Sequence, residues 1–212
     1  SINLDADTQQ KLHIVHNQRA AASRDFFRNN ADKFQEQQDL IASYPEYGEN
    51  LLSILGEFDL QGKNVLEVGP GNGDLLPGLA RLFSSVYALD NSVEMLEKAR
   101  LTASKEGLNS IDFIHGDTSN SVLSRQRFDV ITLNMVLHHT PVPAQIIADL
   151  ARHLDKHGLM LITELCHHDQ DWVRDACGDL WLGFDSTDLC SWAEQEGLLP
   201  LATEFIALKN GF

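Results

Sequence analysis

Short apolar runs alternate with longer amphipathic stretches along the middle of the chain. Short continuous apolar runs are typical of buried strands, whereas apolar positions every three or four residues are typical of helices. The pattern predicts strands over 64–68, 85–89, 111–115, 128–133 and 158–164, and helices over 74–83, 92–105 and 143–155. Strands and helices that alternate in this way indicate an α/β fold, a doubly wound parallel sheet with helices on both faces.

Helical patterns precede this alternation. Residues 8–40 predict one long helix that packs on the domain or on a partner protomer, so a homodimer is possible. Arg19 interrupts its apolar series, which consists of Leu12, Val15, Ala22 and Phe26. Tyr44-Pro45 and Gly48 break the pattern before a second predicted helix over 49–58.

The pattern after residue 164 predicts helices over 169–178 and 186–197 and a strand over 199–208. Asn210-Gly211 is typical of a hairpin turn, but only one residue follows it. A hairpin turn without a return strand suggests a piece of a longer protein. We therefore expect an N-terminal helical extension over 1–60 and an α/β core over 61–212.

Composition limits the possible partners. The 212 residues are 43% hydrophobic and carry 31 acidic against 16 Lys and Arg side chains, a net charge of −15. This balance argues against binding of nucleic acid or an anionic membrane by this chain, because both need a basic surface. No apolar run has the length of a membrane span, and the N-terminal residues lack the features of a signal peptide. The three cysteines fit neither a disulfide framework nor a metal knuckle, so we expect a cytoplasmic protein with reduced thiols.

A glycine-rich loop follows the first predicted strand. It reads Gly69-Pro70-Gly71-Asn72-Gly73-Asp74, directly after Glu67-Val68. Dinucleotide sites use G-x-G-x-x-G, but here Asp74 stands in place of the last glycine and would repel a pyrophosphate. This argues against a nicotinamide dehydrogenase. With Glu67 nearby, a negative loop suits a cationic cofactor, and S-adenosylmethionine carries both a sulfonium and an ammonium group. Asp74 itself is interpreted as a helix-start acid.

Polar residues at the ends of the next strands support a nucleoside site. Asp90 ends the second strand, where a carboxylate can accept hydrogen bonds from both ribose hydroxyls. Asp117 follows the third strand and can accept a hydrogen bond from an adenine amino group. Asn134 ends the fourth strand, beside the glycine loop.

In order and spacing, these motifs resemble those of class I S-adenosylmethionine-dependent methyltransferases. The matching stretches are Val65–Gly73, Asp90, Gly116-Asp117, Phe128–Ile131 and Leu159–Ile162. The resemblance implies a Rossmann-like methyltransferase sheet. It also implies that the backbone of Gly69, Gly71 and Gly73 approaches the methionine part of the cofactor and that Glu67 binds its ammonium group. Asp90 would bind the ribose. Asn91 or Met95 would flank the adenine, and Gly116-Asp117 would bind it.

The flanking segments resemble methyltransferase domains fused to ArsR-type winged-helix regulators. The motifs lie at 19–31, 168–184 and 208–212. This resemblance implies a preceding DNA-binding domain and leaves a second function open, a cofactor sensor with little turnover. The family further implies that 1–60 caps the cofactor through Phe26, Phe27 and Phe34, and that 165–197 is a substrate lid.

Histidines, cysteines and tryptophans have competing interpretations. His138-His139 follow the fourth strand, where one can act as a base, although a packed loop pair is the simpler alternative. We expect no metal site, since neighbours on an extended segment point to opposite faces. The cysteines are read as small buried residues rather than an arsenite site. Trp172, Trp181 and Phe184 are either part of the lid or core residues.

These observations predict methyl transfer to an O, N, S or C atom of a small-molecule acceptor. The sulfonium is already a strong electrophile, so the protein mainly aligns donor and acceptor and excludes water. Nine acidic residues and one basic residue lie within 164–197. If this segment covers the acceptor, neutral or cationic acceptors are favoured over anionic ones.

Overall fold

The computed structural model describes residues 4–119, 121 and 123–206. Five parallel strands form one sheet in the order β3-β2-β1-β4-β5. Their bounds are β1 Asn64–Val68, β2 Ser85–Asp90, β3 Ile111–His115, β4 Phe128–Asn134 and β5 Leu154–Thr163. Seven helices accompany them within the described residues: α1 Ala6–Gln38, α2 Tyr44–Gly56, α3 Leu76–Leu82, α4 Val93–Lys105, α5 Pro143–Ala151, α6 Trp172–Cys177 and α7 Ser186–Gln195. The predicted α/β fold is confirmed.

Alternate side chains of each central strand enter two separate cores. Val65 of β1 and Val130 of β4 pack against helices α2 and α3 on one face. Leu66 and Ile131, one position further along, pack against α5 and α7 on the other face. Because both faces are covered, the strands are nearly continuous apolar runs, which is why their positions could be predicted.

The winding of the sheet reverses at β1. The chain runs outward from β1 through β2 to β3, then returns to place β4 on the other side of β1. Such a reversal opens a crevice at the carboxyl ends of the two strands that flank it. The glycine loop after β1 and the end of β4 meet at this crevice.

Several predicted boundaries differ from the structure. Helix α2 begins at Tyr44 rather than at 49, because Pro45 lies in the first turn, where no helical N–H is needed. The Ser43 N–H donates to the Glu46 carboxylate over 2.8 Å and caps this start. Helix α5 ends at Ala151, because β5 already begins at Leu154 and pairs with Phe128.

The predicted strand over 199–208 is wrong for its described part. Residues 199–206 are irregular, and Leu199, Leu201 and Phe205 are more than 70% exposed. Apolar alternation alone does not form a strand without a neighbour to pair with. The predicted Asn210-Gly211 turn lies outside the described residues. Within the described ranges, no helix has the combined length and apolar character to cross a membrane.

Candidate active site

An open cavity lies at the carboxyl ends of β1, β2 and β4, beneath α1 and α2. It brings together ten of the twelve residues predicted from the sequence: Glu67, Gly69, Gly71, Asp90, Asn91, Met95, Gly116, Asp117, Asn134 and His139. Gly73 and His138 are the two predicted residues that are not among its described lining. Ser23 and Phe27 of α1 and Tyr44 and Tyr47 of α2 complete the wall.

The glycines of the loop serve different purposes. Gly71 has a left-handed φ of +57°, and a Cβ atom there would meet nothing within 4 Å, so its backbone borders open cavity. Gly73 has a φ of +84°, but its Cβ would lie 3.0 Å from Cα of Ala99 on α4. Gly71 therefore leaves space for a ligand, whereas Gly73 allows the loop to pack against a helix.

This difference predicts opposite effects of two alanine substitutions. Gly71→Ala should weaken ligand binding at least tenfold and cost only about 1 kcal/mol of stability, the backbone cost of left-handed φ. Gly73→Ala should cost about 2 kcal/mol or more through the added clash with Ala99. Urea unfolding and calorimetry with S-adenosylhomocysteine measure the two quantities. Equal effects of both substitutions on binding and stability would contradict the assignment.

Glu67 is a buried carboxylate at the floor of the cavity. It accepts hydrogen bonds from the Thr132 hydroxyl and, over 2.9 Å, from the Asn134 amide. Burial raises the pKa of Glu67 to about 8, and these hydrogen bonds only partly oppose the rise. The carboxylate thus lacks a counter-charge from the chain, and a ligand cation would supply one.

Asp90 and Asp117 occupy the ends of the next strands. Asp90 accepts a hydrogen bond from the Ser92 N–H over 2.8 Å, and burial raises its pKa to about 6. Asp117 is exposed and accepts a hydrogen bond from the Ser119 N–H over 2.9 Å. Both carboxylates border the cavity, and each retains an oxygen that the chain does not use in these bonds.

The lining is rich in acidic side chains. It includes the carboxylates Glu67, Asp74, Asp90 and Asp117 and, among its described residues, neither Lys nor Arg. Asp74 precedes the first residue of α3 by two positions and faces the cavity, so its interpretation as a helix-start acid is incomplete. A cavity of this charge attracts cations and opposes phosphate groups.

The backbone is strained where β4 meets the cavity. Met135 has a left-handed φ of +56°, although it is not glycine. Its N–H donates to the Thr163 carbonyl over 2.9 Å, which holds this conformation, and its side chain lines the cavity. Strain of this kind persists only where surrounding contacts determine it, and it is concentrated at binding sites.

The two histidines after β4 lie in a 3-10 turn, not an extended segment. Their ring centroids are 4.0 Å apart, so the argument that placed them on opposite faces does not apply. His139 lines the cavity and packs edge-on against Phe27 at 5.0 Å. Burial and the charge of His138 lower the pKa of His139 well below its usual value. His138 is fully buried, and its Nδ1 lies 2.7 Å from the Glu164 carboxylate.

Helices α1 and α2 provide the cover of the cavity. Phe27 lines it directly, and Phe26 packs beside Phe27 and Met95, while the Phe34 side chain lies outside the described part of the structure. Residues 165–197 contribute no side chain to the described lining. Trp181 and Phe184 join the core on the α5 side, and Trp172 is 40% exposed.

The cysteines differ in their surroundings. Cys177 is buried, as expected, but Cys166 is exposed and Cys190 is intermediate. The interpretation as three small buried residues therefore holds for Cys177 alone. Cys166 lies in the segment that pairs with Phe184, and its side chain faces outward.

Sequence reasoning missed four residues that shape the site. Thr132 and Tyr47 are ordinary core types, and nothing in their local pattern marks them. Glu164 comes directly after β5, at the same sheet edge as His138, and that position was a usable signal. Asp179 is almost fully buried, yet its Gly-Asp context resembles an ordinary loop.

Comparisons with known proteins agree with this geometry. Residues 66–162 match the family described as "Methyltransferase domain". The ubiquinone biosynthesis O-methyltransferase of Serratia proteamaculans (strain 568) is 32% identical over 123 residues, which cover 58% of this chain and 50% of that protein. The protein of the same name from Coxiella burnetii (strain Dugway 5J108-111) is 27% identical over 172 residues, covering 74% and 73%. The chain thus spans about half the length of the Serratia relative.

Solved structures show the same fold. Magnesium protoporphyrin IX methyltransferase from Synechocystis PCC 6803, solved with bound SAH, superposes with a TM-score of 0.69 at 18% identity. The match covers 88% of this chain and 93% of that one. The predicted Rossmann-like architecture is confirmed, and the match of residues 66–162 to the methyltransferase domain family agrees with the resemblance seen in the sequence.

Proposed function

We propose that this chain, whose residues 66–162 match the methyltransferase domain family, transfers a methyl group from S-adenosylmethionine to a small-molecule acceptor. The observation that carries the proposal is the buried Glu67 carboxylate in a cavity lined by further acids. S-adenosylmethionine, the cofactor, supplies an electrophilic methyl group and two positive charges when bound. The residues present fit those charges.

The cavity residues hold the cofactor in this proposal. Glu67 pairs with the ammonium group, and the backbone of Gly71 leaves room for the methionine part, while Gly69 lines the cavity and packs against Val136. Asp90 accepts hydrogen bonds from the ribose hydroxyls. Asn91, Met95 and Gly116-Asp117 surround the adenine, with Asp117 accepting from its amino group. Gly73 supports the loop from behind through its contact with Ala99.

The acceptor approaches from the side of His139 and Phe27. The names of the relatives support an oxygen nucleophile, a hydroxyl group on a small molecule. Transfer needs alignment of that oxygen with the methyl group and loss of its proton. Of the two histidines, His139 borders the cavity and is held neutral by burial, so it contacts the acceptor, while His138 supports it from within the fold.

Replacement of Asp90 tests the cofactor site. Asp90→Asn keeps an oxygen for the Ser92 N–H but removes the second acceptor for a ribose hydroxyl. We expect affinity for S-adenosylhomocysteine to fall about tenfold or more, measured by calorimetry. Asp112→Asn, an exposed carboxylate on neighbouring β3, is the matched control and should bind normally. Equal affinities of both variants would overturn the cofactor site.

Incubation with methyl-labelled cofactor and a panel of hydroxylated acceptors tests turnover. Labelled product supports the transferase, whereas tight binding without transfer across the panel would favour the sensor alternative. Fusion to a winged-helix regulator rests on the flanking motifs alone and stays a prediction. The upstream gene sequence would decide it.

A further inference from the structure

We propose that His138, His139 and Asp179 form a binding site for one divalent transition metal ion. The three side chains are buried and come from two separate segments, the turn after β4 and the loop after α6. One donor atom from each lies within 4.8 Å of the others. Two histidines and one carboxylate are a ligand set that zinc and iron(II) bind in catalytic sites.

The distances fit ligands around an ion better than a hydrogen-bonded network. Asp179 Oδ1 lies 3.5 Å from Nδ1 of His139 and 4.0 Å from Nε2 of His138, while the same Nδ1 makes a long contact of 3.5 Å with the Gly178 carbonyl oxygen. Ligands at about 2.0–2.1 Å from a tetrahedral metal are roughly 3.3 Å apart. A hydrogen bond would bring the atoms to about 2.7–3.0 Å, and the same His138 ring does reach 2.7 Å to Glu164 at its other nitrogen.

The hydrogen bonds among the described residues do not explain why Asp179 is buried. Its side chain is fully buried, and neither carboxylate oxygen has a hydrogen-bond partner among the described residues. Nε2 of His138 is also without a hydrogen bond in this part of the chain. Buried polar atoms are normally satisfied, so three such atoms without a hydrogen bond in one cluster indicate a missing partner.

Glu164 orients the His138 ring for this purpose. The carboxylate accepts hydrogen bonds from the N–H groups of Leu137 and Leu165, over 2.5 and 3.1 Å, so it acts as an acceptor toward His138 as well. Nδ1 of His138 is therefore the donor, and Nε2 presents its lone pair toward Asp179. A carboxylate behind a ligating histidine is the usual support in zinc sites.

The backbone holds the two segments together. The N–H groups of Leu180 and Trp181 donate to the His138 carbonyl over 2.9 and 3.1 Å. Asp179 directly precedes this pair, so its position relative to the turn is determined by the fold. Preorganised ligands of this kind bind metal without a large rearrangement.

The buried carboxyl groups give a further argument. Two of them, Glu164 and Asp179, pack against the two histidines. Buried carboxyl groups are normally paired or bind a metal ion, so a divalent ion suits this cluster. His139 borders the cavity, so a fourth coordination position could be taken by an acceptor oxygen. An ion there would lower the pKa of that oxygen, and the histidines would then act through the ion instead of as a free base.

Calorimetric titration of the chelator-treated chain with Zn²⁺ alone tests the proposal. We expect one ion per chain and a rise in thermal midpoint on addition of Zn²⁺, because binding to the native state stabilises it. Asp179→Asn, nearly isosteric, should weaken binding at least tenfold, and Glu164→Gln by about ten- to a hundredfold. His167→Gln, an exposed histidine beside Cys166, is the matched control and should bind normally.

Three outcomes would overturn the site. They are the absence of binding near one equivalent, unchanged affinity in Asp179→Asn, and loss of binding in His167→Gln, which indicates a surface site. If Asp179→Asn does not fold, two other measurements test the site. They are the Zn²⁺ affinity of His139→Gln and the thermal midpoint of the unaltered chain with and without Zn²⁺. An unchanged midpoint would count against the proposal.

Discussion

Replacing Glu67 with glutamine is expected to stabilise the unliganded chain and to remove most of its affinity for S-adenosylhomocysteine. The carboxyl is 2% exposed, and burial raises its pKa to about 8 from an ordinary value of 4.5. At neutral pH the folded chain therefore keeps a proton on Glu67 that the unfolded chain releases, which costs stability, and a bound cation favours the ionised form and offsets this cost. Glutamine avoids this cost and loses the partner for the ammonium group.

The pH dependence of this effect has a definite sign. The folded chain holds the Glu67 proton more tightly than the unfolded chain, so the contribution to stability is complete below about pH 4.5. It is lost as the pH rises toward 8. At pH 7 the loss is roughly 3 kcal/mol, since each unit of difference in pKa corresponds to about 1.4 kcal/mol. Burial raises the pKa of Asp90 and Asp179 to about 6, which acts in the same direction.

Urea unfolding at several pH values measures the effect of Glu67→Gln on the stability of the unliganded chain. The unliganded chain should lose stability between about pH 5 and pH 8, and Glu67→Gln should flatten this decline and gain about 3 kcal/mol or more at pH 8. Calorimetry should show affinity for S-adenosylhomocysteine reduced by roughly a hundredfold. Glu49→Gln, an exposed glutamate on α2, should change neither quantity. A Glu67→Gln variant that binds normally, or that is less stable at pH 8, would refute this account.

Gly183→Ala is expected to be the most destabilising small substitution in the region after β5. Gly183 is buried with a left-handed φ of +71°, and a Cβ atom would lie 2.1 Å from the Cys166 carbonyl oxygen. The Phe184 N–H donates to the Leu165 carbonyl over 2.9 Å, so the two segments have no space to separate. We expect a loss of about 3 kcal/mol or more, the sum of strain and overpacking.

Gly62→Ala measures the cost of backbone strain without the cost of overpacking. Gly62 has a similar φ of +77°, but it is exposed and a Cβ atom there meets nothing within 4 Å. This variant should lose only about 1 kcal/mol, the backbone cost alone. Urea unfolding of both variants at one pH makes the comparison. Equal losses would mean that the contact with Cys166 relaxes without cost.

The position of the site could be predicted because it depends on local order along the chain. Buried parallel strands are apolar throughout, so β1 and β4 are evident from their composition, and the carboxyl ends of such strands meet at one edge. Any polar residue at or near the carboxyl end of such a strand is therefore a candidate. Glu67, Asp90 and Asn134 were found in this way, and the structure brings them to one cavity.

Errors arose where a short pattern has more than one structural solution. Pro45 breaks a helix interior but fits its first turn, and the sequence signal for the two is the same. Adjacent histidines diverge on a strand but converge in a 3-10 turn, as His138 and His139 do. In both cases the neighbouring backbone decides between the alternatives.

The sequence by itself determined the sheet, the edge that carries the site and the negative charge of its lining, since these follow from periodicity and from residues next to strand ends. Only the tertiary structure decided that Gly71 borders the cavity while Gly73 packs on α4, and that His139 rather than His138 faces it. It also placed Asp179 about 4 Å from His138, 41 positions earlier in the chain. Such contacts depend on how distant loops pack, and local patterns carry no information about which loops will meet.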